Sequence, residues 1–338
     1  LPHDRRYRVC TGVFLSRLRS RRRTVRSRGR AASPGRYRLK RTEAHYRLTG
    51  TDRRRAALVW GVLIAVTALS ILLGRYPQTG FTPLRALIND PVAVRLIVEL
   101  RIPRVLTALL LGAALGAAGT EVQMLFANPL VEPGLIGVSQ GAAFGAVLAI
   151  VLGLGSSWQI QIVSTVFALT GLFAAYRIAR RLRFGGWILR LVLSGIAVSA
   201  LFSAGIGAVK YVADPLSQLP EITFWLLGGI WGVDTASFIR VAPVALIGLA
   251  VVYAKRWRLN ILTLGDRVSF SLGADPGRER FLLLVAATVP VAVLTATAGI
   301  VSWVGLLVPH ISRRLFRPDG GVALPASLAL GATFVLVA

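Results

Sequence analysis

Cysteine, methionine and histidine are almost missing from this chain of 338 residues, which has one Cys, one Met and three His. A single cysteine, Cys10, excludes an internal disulfide and a cluster of thiolate metal ligands. The histidines (His3, His45 and His310) are too few and too scattered to predict a metal site. We therefore predict that the chain holds no metal of its own.

Lysine is equally scarce, since the only lysines are Lys40, Lys210 and Lys255, and none of them follows a glycine. The Gly-Lys-Ser/Thr sequence of a phosphate-binding P-loop is therefore absent. Any ATP that drives this protein must be bound by a partner. We predict no catalytic residue and no cofactor on this chain, which is not itself an enzyme.

Charged residues make up only 16% of the chain, whereas 54% of it is hydrophobic and the mean hydropathy is +0.65. A soluble domain is usually about one quarter charged. This composition predicts an all-α, polytopic membrane protein that forms a helical bundle.

The net charge of +26 is unevenly distributed, because 19 of the 40 Lys and Arg residues lie within residues 1–55. Residues 1–56 are arginine-rich and lack an apolar helical stripe. This pattern predicts a basic, disordered cytoplasmic leader, followed by a transmembrane domain over residues 57–338. The alternative is an arm that binds nucleic acid or anionic lipid.

Apolar runs predict about nine spans, the eighth of which is short and is broken by Pro309. Arg53, Arg54 and Arg55 place the start of the first span in the cytoplasm by the positive-inside rule. The last run reaches the end of the chain, which predicts a truncated product. The nine predicted spans are residues 57–74, 105–126, 135–154, 158–178, 188–212, 238–254, 281–298, 299–311 and 321–338.

The stretch 101–145 contains the most distinctive pattern. Its first apolar run, 105–119, is uncharged and rich in Leu, Ala and Gly, which suits a membrane helix that packs closely on its neighbours. Two prolines and a glycine within 128–134 then forbid a continuous helix. The pattern predicts helix, polar hinge and helix, with the hinge at a membrane face.

One predicted outer segment breaks the charge rule. Between the first two spans, five arginines outweigh Asp90 and Glu99. A basic outer surface favours an acidic partner, and the alternative is anchoring by arginines that reach the lipid headgroups. The five arginines are Arg75, Arg85, Arg95, Arg101 and Arg104.

Five strings then occur in a fixed order: RIPRVLTALLLGAALGAAG, NPLVEPGLIGVSQGAAFG, FWLLGGIWGVD, LTLGDRVSFSLG and GIVSWVGLLVPHISRRLF. Together they closely resemble the FecCD-type permease subunits of ABC importers for iron-siderophores, haem and cobalamin. The resemblance covers residues 57–338 and implies the type II ABC importer transmembrane fold. That family has ten spans, of which this chain shows about nine, and the basic leader has no counterpart in it.

The resemblance implies a multi-pass protein of the bacterial plasma (inner) membrane. It implies as partners a second copy or a sister permease, two cytoplasmic ATP-binding cassette subunits and an extracytoplasmic substrate-binding protein, with no nucleic acid. The cargo is expected to be an iron-siderophore complex that crosses by alternating access, with haem or cobalamin as alternatives.

The resemblance also implies three sets of functional residues. Docking of the binding protein falls on Arg101 and Arg104, and coupling to the ATPase falls on the segment 259–274. The cytoplasmic gate is implied at Asn128, Pro129 and Leu130. The residues implied in coupling are Leu264, Gly265, Ser271, Leu272 and Gly273.

Two other classes of function stay open at this stage. An ion-coupled secondary transporter usually carries an intramembrane acid or histidine, and here only Glu121 and His310 fit that role. Glu121 also departs from the family pattern, which is small or apolar at that position. A membrane-anchored nucleic-acid binder would instead use residues 1–56.

Overall fold

The computed structural model describes residues 50–76, 80–82 and 90–338, and the chain is almost entirely helical there. Two short strands, β1 (Leu73–Gly74) and β2 (Gly80–Phe81), pair antiparallel after the first helix. Within the described ranges the α-helices are α1 Gly50–Leu72, α2 Pro91–Leu96, α3 Ile102–Leu125, α4 Val138–Val151, α5 Ser157–Arg181, α6 Trp187–Val212, α7 Gln218–Leu227, α8 Thr235–Leu262, α9 Asp266–Ser271, α10 Pro276–Ala298, α11 Val304–Leu315 and α12 Gly320–Val337.

Seven helical segments within the described ranges are long and apolar enough to cross a membrane. They coincide with seven of the nine predicted spans, and the predicted all-α membrane bundle is confirmed. The third and eighth predicted spans correspond to α4, of 14 residues, and α11, of 12 residues. Both are shorter than the roughly 20 residues that a straight crossing needs.

The second span is longer than predicted. Helix α2, a π-helical turn (Ile97–Arg101) and α3 form one segment of 35 residues, Pro91–Leu125. The Asp90 carboxylate caps it by accepting a hydrogen bond from the Val92 N–H at 2.9 Å. The π turn comes directly before Pro103, whose ring disturbs regular α-helical bonding in the preceding turn. The sequence predicts that this span begins at residue 105, whereas the helical segment begins at Pro91, 14 residues earlier.

Helix α3 lies at the centre of the bundle and packs against α8, α10, α11 and α12. Its glycines permit this packing. A Cβ atom on Gly112 would overlap the carbonyl oxygen of Gly331, and one on Gly119 would overlap that of Gly305. The predicted close approach of a small-residue helix to its neighbours is confirmed.

Helix α1 begins at Gly50, seven residues before the predicted first span. Its first turns are tied to the segment that precedes α12. Asp52 is buried and pairs with Arg317 at 3.7 Å, and the Arg55 guanidinium donates to the Leu315 carbonyl at 2.6 Å. The predicted boundary at residue 56 thus lies inside a helix, and residues 1–49 of the predicted leader lie outside the described residues.

Two loops contain helices of their own. Helix α7 lies in the segment between α6 and α8. Helix α9 lies between α8 and α10, within the predicted coupling segment 259–274.

Candidate translocation site

The predicted hinge between the second and third spans is present as a tight turn. The Asn128 side-chain oxygen accepts a hydrogen bond from the Leu130 N–H at 2.9 Å, which is a common way for Asn to hold a turn. Ala127 has a φ of 47°, in the left-handed region. Leu130 is 74% exposed, so it projects from the turn. A gating role for Asn128, Pro129 and Leu130 stays a prediction.

Glu132 joins this turn to the start of α11. Its carboxylate accepts a hydrogen bond from the backbone N–H of Trp303, the residue that caps α11. Partial burial raises the pKa of the Glu132 carboxyl above its ordinary value, and the Trp303 hydrogen bond partly offsets that rise. Trp303 itself has a φ of 71°, which is rare for a residue with a side chain.

A cavity of about 350 Å³ adjoins Glu132. Four parts of the chain form it: the middle of α3, the hinge with the start of α4, the middle of α6, and the segment that leads into α11. Its polar lining consists of hydroxyls and one amide, and the only charged side chain among its lining residues is Glu132. The polar side chains that line it are Glu132, Ser139, Gln140, Ser199, Ser203 and Ser302.

This cavity can form hydrogen bonds with a polar solute without holding it through a cation. The Ser199 hydroxyl is buried and has no hydrogen-bond partner among the described residues. Irregular backbone and polar groups persist at membrane depth only where they face protein or a water-filled cavity. The cavity wall therefore offers several hydrogen-bonding groups and a single acidic side chain.

The two predicted docking arginines make contacts within their own chain. The Arg101 guanidinium donates to the Thr82 hydroxyl at 2.8 Å and to the Ile71 carbonyl at 3.3 Å. The Arg104 Nε donates to the Val233 carbonyl at 3.4 Å. Arg101 thus supports the β1–β2 hairpin, and docking of a binding protein on this pair stays a prediction.

Two further arginines belong to the basic outer segment predicted from the sequence. Arg95 pairs with Glu99 at 2.9 Å on the exposed side of the helical segment. Arg85, also counted in the basic outer segment, lies outside the described residues.

The predicted coupling residues surround α9. Gly265 caps it with a φ of 90°, and Gly273 follows it with a φ of 80°, so both positions favour glycine. Leu264 and Leu272 are each 56% exposed, and Phe270, which the sequence reading did not single out, is 74% exposed. The segment therefore presents an apolar surface, as a docking lever requires, although coupling itself stays a prediction.

Glu121 is fully buried in α3, and neither of its carboxylate oxygens has a hydrogen-bond partner among the described residues. Helical geometry places it about 180° around α3 from Gly112, which contacts α12. It does not line the cavity beside Glu132. Glu121 thus belongs to the packed interior of the bundle and not to the candidate passage.

A bundle of membrane-spanning helices with a polar hinge and a serine-lined cavity is typical of membrane transport proteins. The model of the FecCD transport family matches residues 62–338, and the chain belongs to this family. The resemblance predicted from the five strings is confirmed.

The relatives within the family are named for different cargoes. The chain is 34% identical over 284 residues to a molybdate import system permease of Haemophilus influenzae, covering 82% of this chain and 84% of that one. It is 36% identical over 247 residues to a probable iron chelatin transport permease of Helicobacter pylori (72% and 73%). It is 37% identical over 243 residues to a vitamin B12 import permease of Klebsiella pneumoniae (70% and 71%).

Solved structures agree with the fold. A structure described as an inward-facing metal-chelate type ABC transporter superposes with a TM-score of 0.77 at 31% identity, covering 84% of this chain and 89% of that one. The structure of PsaBC from Streptococcus pneumoniae superposes with a TM-score of 0.50 at 18% identity and supports the fold alone. The chain is thus a multi-pass ABC importer permease of the FecCD family.

Proposed function

We propose that this permease serves an importer of iron chelates, most specifically of iron-siderophore complexes. The support is twofold. One relative is named for iron chelatin transport, and the similar solved structure is described as a metal-chelate type transporter. Haem and cobalamin are the alternative cargoes, the second because of the vitamin B12 relative.

The strongest support for this proposal is the set of side chains that line the cavity beside Glu132. It holds five neutral polar side chains and one carboxylate, and no Lys or Arg lies among the residues that line it. A carboxylate repels a small oxyanion such as molybdate, whereas hydroxyls and an amide bond equally to neutral or cationic chelates. A neutral or cationic chelate is therefore the favoured cargo.

In the proposed mechanism, two permease chains enclose the passage and a binding protein delivers the chelate from outside. ATP binding and hydrolysis occur on two partner subunits. Their closure pushes on the exposed apolar side chains around α9. Because short turns connect α9 to α8 and to α10, and both of these pack on α3, the movement reaches the turn Asn128–Leu130 at the end of α3.

Uptake into proteoliposomes tests the cargo. The full chain is reconstituted with its ATPase and binding-protein partners, and transport of radiolabelled iron-hydroxamate, haemin, cyanocobalamin and molybdate is measured. We expect saturable, ATP-dependent uptake of the iron chelate. Uptake of molybdate in preference to the other three would overturn the argument from the cavity, and preference for haemin or cobalamin would replace the cargo alone.

The same preparation separates ATP-driven from ion-coupled transport. The fully buried Glu121 is the one observation that favours ion coupling, since an acid inside a membrane is often functional. We expect that loss of ATP hydrolysis stops uptake and that a protonophore does not. The opposite result would establish an ion-coupled transporter.

A further inference from the structure

A second cavity, of about 610 Å³, lies where α5 ends and α6 and α10 begin. This is the predicted cytoplasmic end of the bundle. Four arginines and a single acid, Asp266, line it together with an aromatic wall. The lining arginines and aromatic residues are Arg180, Arg190, Arg278, Arg280, Tyr176, Trp187 and Phe281.

Arg280 is the buried member of this set, with only 8% of its surface exposed. Its guanidinium pairs with the Asp266 carboxylate at 2.6 Å and donates to the Leu262 carbonyl at 3.3 Å. Its Nε–H, however, has no hydrogen-bond partner among the described residues. A buried donor without a partner is unfavourable, so a ligand that supplies an acceptor there stabilises the site.

Arg190, on α6, also has a buried N–H donor that lacks a partner in the described part of the chain. One of its terminal nitrogens donates to the Leu182 carbonyl, whereas its buried Nε–H has no partner among the described residues. Two arginines on different helices, α6 and α10, thus line one cavity, and each keeps a buried donor unused.

The charge balance of the cavity is positive. Asp266, the only acid that lines it, is already engaged by Arg280, so Arg180, Arg190 and Arg278 remain without a carboxylate in the lining. Like charges at close range repel, so an anion bound between these arginines would be favoured.

The aromatic wall shapes the space beside these charges. The Tyr176 ring lies 4.6 Å from the Phe281 ring and 5.6 Å from the Trp187 ring, measured between centroids. Arg180 lies over the Tyr176 ring at 6.0 Å. The packed rings thus form an apolar wall beside the charged groups.

We propose that this cavity is a binding site for a phosphate group, carried by a phospholipid headgroup or by a free phosphate compound of the cytoplasm. Guanidinium groups match the geometry of phosphate oxygens and form strong, charge-assisted hydrogen bonds with them. Both sources can reach the site, because it lies at the ends of membrane-spanning helices on the predicted cytoplasmic face.

Calorimetry on the full chain, purified in neutral detergent, tests the site with two probes, inorganic pyrophosphate and a short-chain phosphatidylglycerol. Arg278→Gln and Arg190→Gln each remove one lining charge without touching the Arg280–Asp266 pair. We expect each to raise the Kd by about tenfold, as the loss of one charge-assisted bond predicts. Arg183→Gln is the matched control, because Arg183 is exposed in the turn between α5 and α6 and does not line the cavity.

The two probes distinguish the sources. Binding of pyrophosphate alone assigns a free phosphate compound, binding of phosphatidylglycerol alone assigns a lipid headgroup, and binding of both assigns a phosphate site without preference. The proposal is overturned if neither probe binds, or if Arg183→Gln weakens binding as much as Arg278→Gln does.

The cavity adjoins α9, so an acidic side chain of the partner ATPase is the competing occupant. The same titrations are therefore repeated on the permease assembled with its ATPase. We expect both affinities to be retained in the complex. If assembly abolishes binding of both probes, the cavity is a protein interface and the phosphate site is refuted.

Discussion

The carboxylate of Glu132 accepts a hydrogen bond from the backbone N–H of Trp303. This contact joins the turn that follows the second predicted span to the residue that caps α11. Both residues belong to strings typical of the family. Glu132 lines the serine-lined cavity, and Trp303 directly follows Ser302, which also lines it. Any movement of the turn must therefore move α11, break this hydrogen bond, or do both.

The protonation state of Glu132 should affect stability. Its pKa is raised because burial penalises the charged form, so the carboxyl binds its proton more tightly in the folded protein than in the unfolded chain. The stability that protonation confers is fully present below the unfolded pKa and is lost as the pH rises through the higher folded pKa. Glu132→Gln should therefore raise the melting temperature in detergent by a few degrees at pH 8 and by much less at pH 5.

The matched control for this prediction is Glu221→Gln, since Glu221 is exposed. Differential scanning fluorimetry across pH 5–8 measures both variants. If the stability gap between wild type and Glu132→Gln does not widen with pH, the carboxyl is not penalised by burial.

The glycine contacts of α3 predict a steep cost for even the smallest side chain. Gly112→Ala places a methyl group against the Gly331 carbonyl oxygen, which is backbone and cannot rotate away. The helices must separate, at a cost of about 1–3 kcal/mol. Gly61→Ala in α1 is the control, because nothing lies within 4 Å of its Cβ position.

Thermal denaturation of the two variants decides this point. Gly61→Ala should be neutral or slightly stabilising, since alanine is the better helix former. Equal melting temperatures for Gly112→Ala and wild type would mean that α3 and α12 do not approach as closely as described.

Several features of the fold were predictable because their causes are local. The hinge at 128–134 follows from two prolines and a glycine, and the close packing of α3 follows from its glycines and alanines. The Asp90-Pro91 pair is a recognisable helix start, with a capping carboxylate and a proline in the first turn. The apolar run alone predicts a start at residue 105, because charged residues interrupt the apolar pattern between residues 91 and 104.

The cavity could not be predicted from the sequence. Ser139, Ser199 and Ser302 come from three distant segments, and a single serine in an apolar run has no pattern of its own. The partners of Arg101 were hidden for the same reason, because Ile71 and Thr82 reach it only through the β1–β2 hairpin. Tertiary contacts between remote segments carry no local signal.

Arg101 should contribute to stability as well as to any docking. Arg101→Ala removes the hydrogen bonds to Thr82 and Ile71 and leaves a void against Gly74. Bonds from a charged donor of this kind contribute about 1.5–3 kcal/mol, so the melting temperature should fall. Arg75→Ala, at an exposed neighbouring arginine, should leave it unchanged.

A comparison of melting temperature with binding-protein affinity separates the two roles of Arg101. A loss of affinity in Arg101→Lys, which keeps the charge, together with an unchanged affinity in Arg75→Ala, would support docking through the guanidinium. If Arg101→Ala melts like wild type, the hairpin contacts described above do not stabilise the fold.

The exposed apolar side chains around α9 are the proposed contact with the ATPase. A polar substitution there should leave the fold intact but uncouple ATP hydrolysis from uptake. Leu272 is 56% exposed, so Leu272→Asn should leave the melting temperature within about a degree of wild type, as surface substitutions usually do. If the ATPase docks on this surface, loss of one apolar anchor near its centre should reduce ATP-driven uptake by roughly tenfold or more. Phe184→Asn, at a 50% exposed residue in the turn between α5 and α6, is the control and should retain uptake.

Uptake and ATP hydrolysis are measured together in this test, because an uncoupled complex hydrolyses ATP without transport. Undiminished uptake in Leu272→Asn would remove α9 and its flanks from the coupling surface. An equal loss in Phe184→Asn would mean that the ATPase contacts both turns at this end of the bundle. A loss confined to Leu272→Asn, at unchanged stability, would identify the segment 259–274 as the lever through which the ATPase acts.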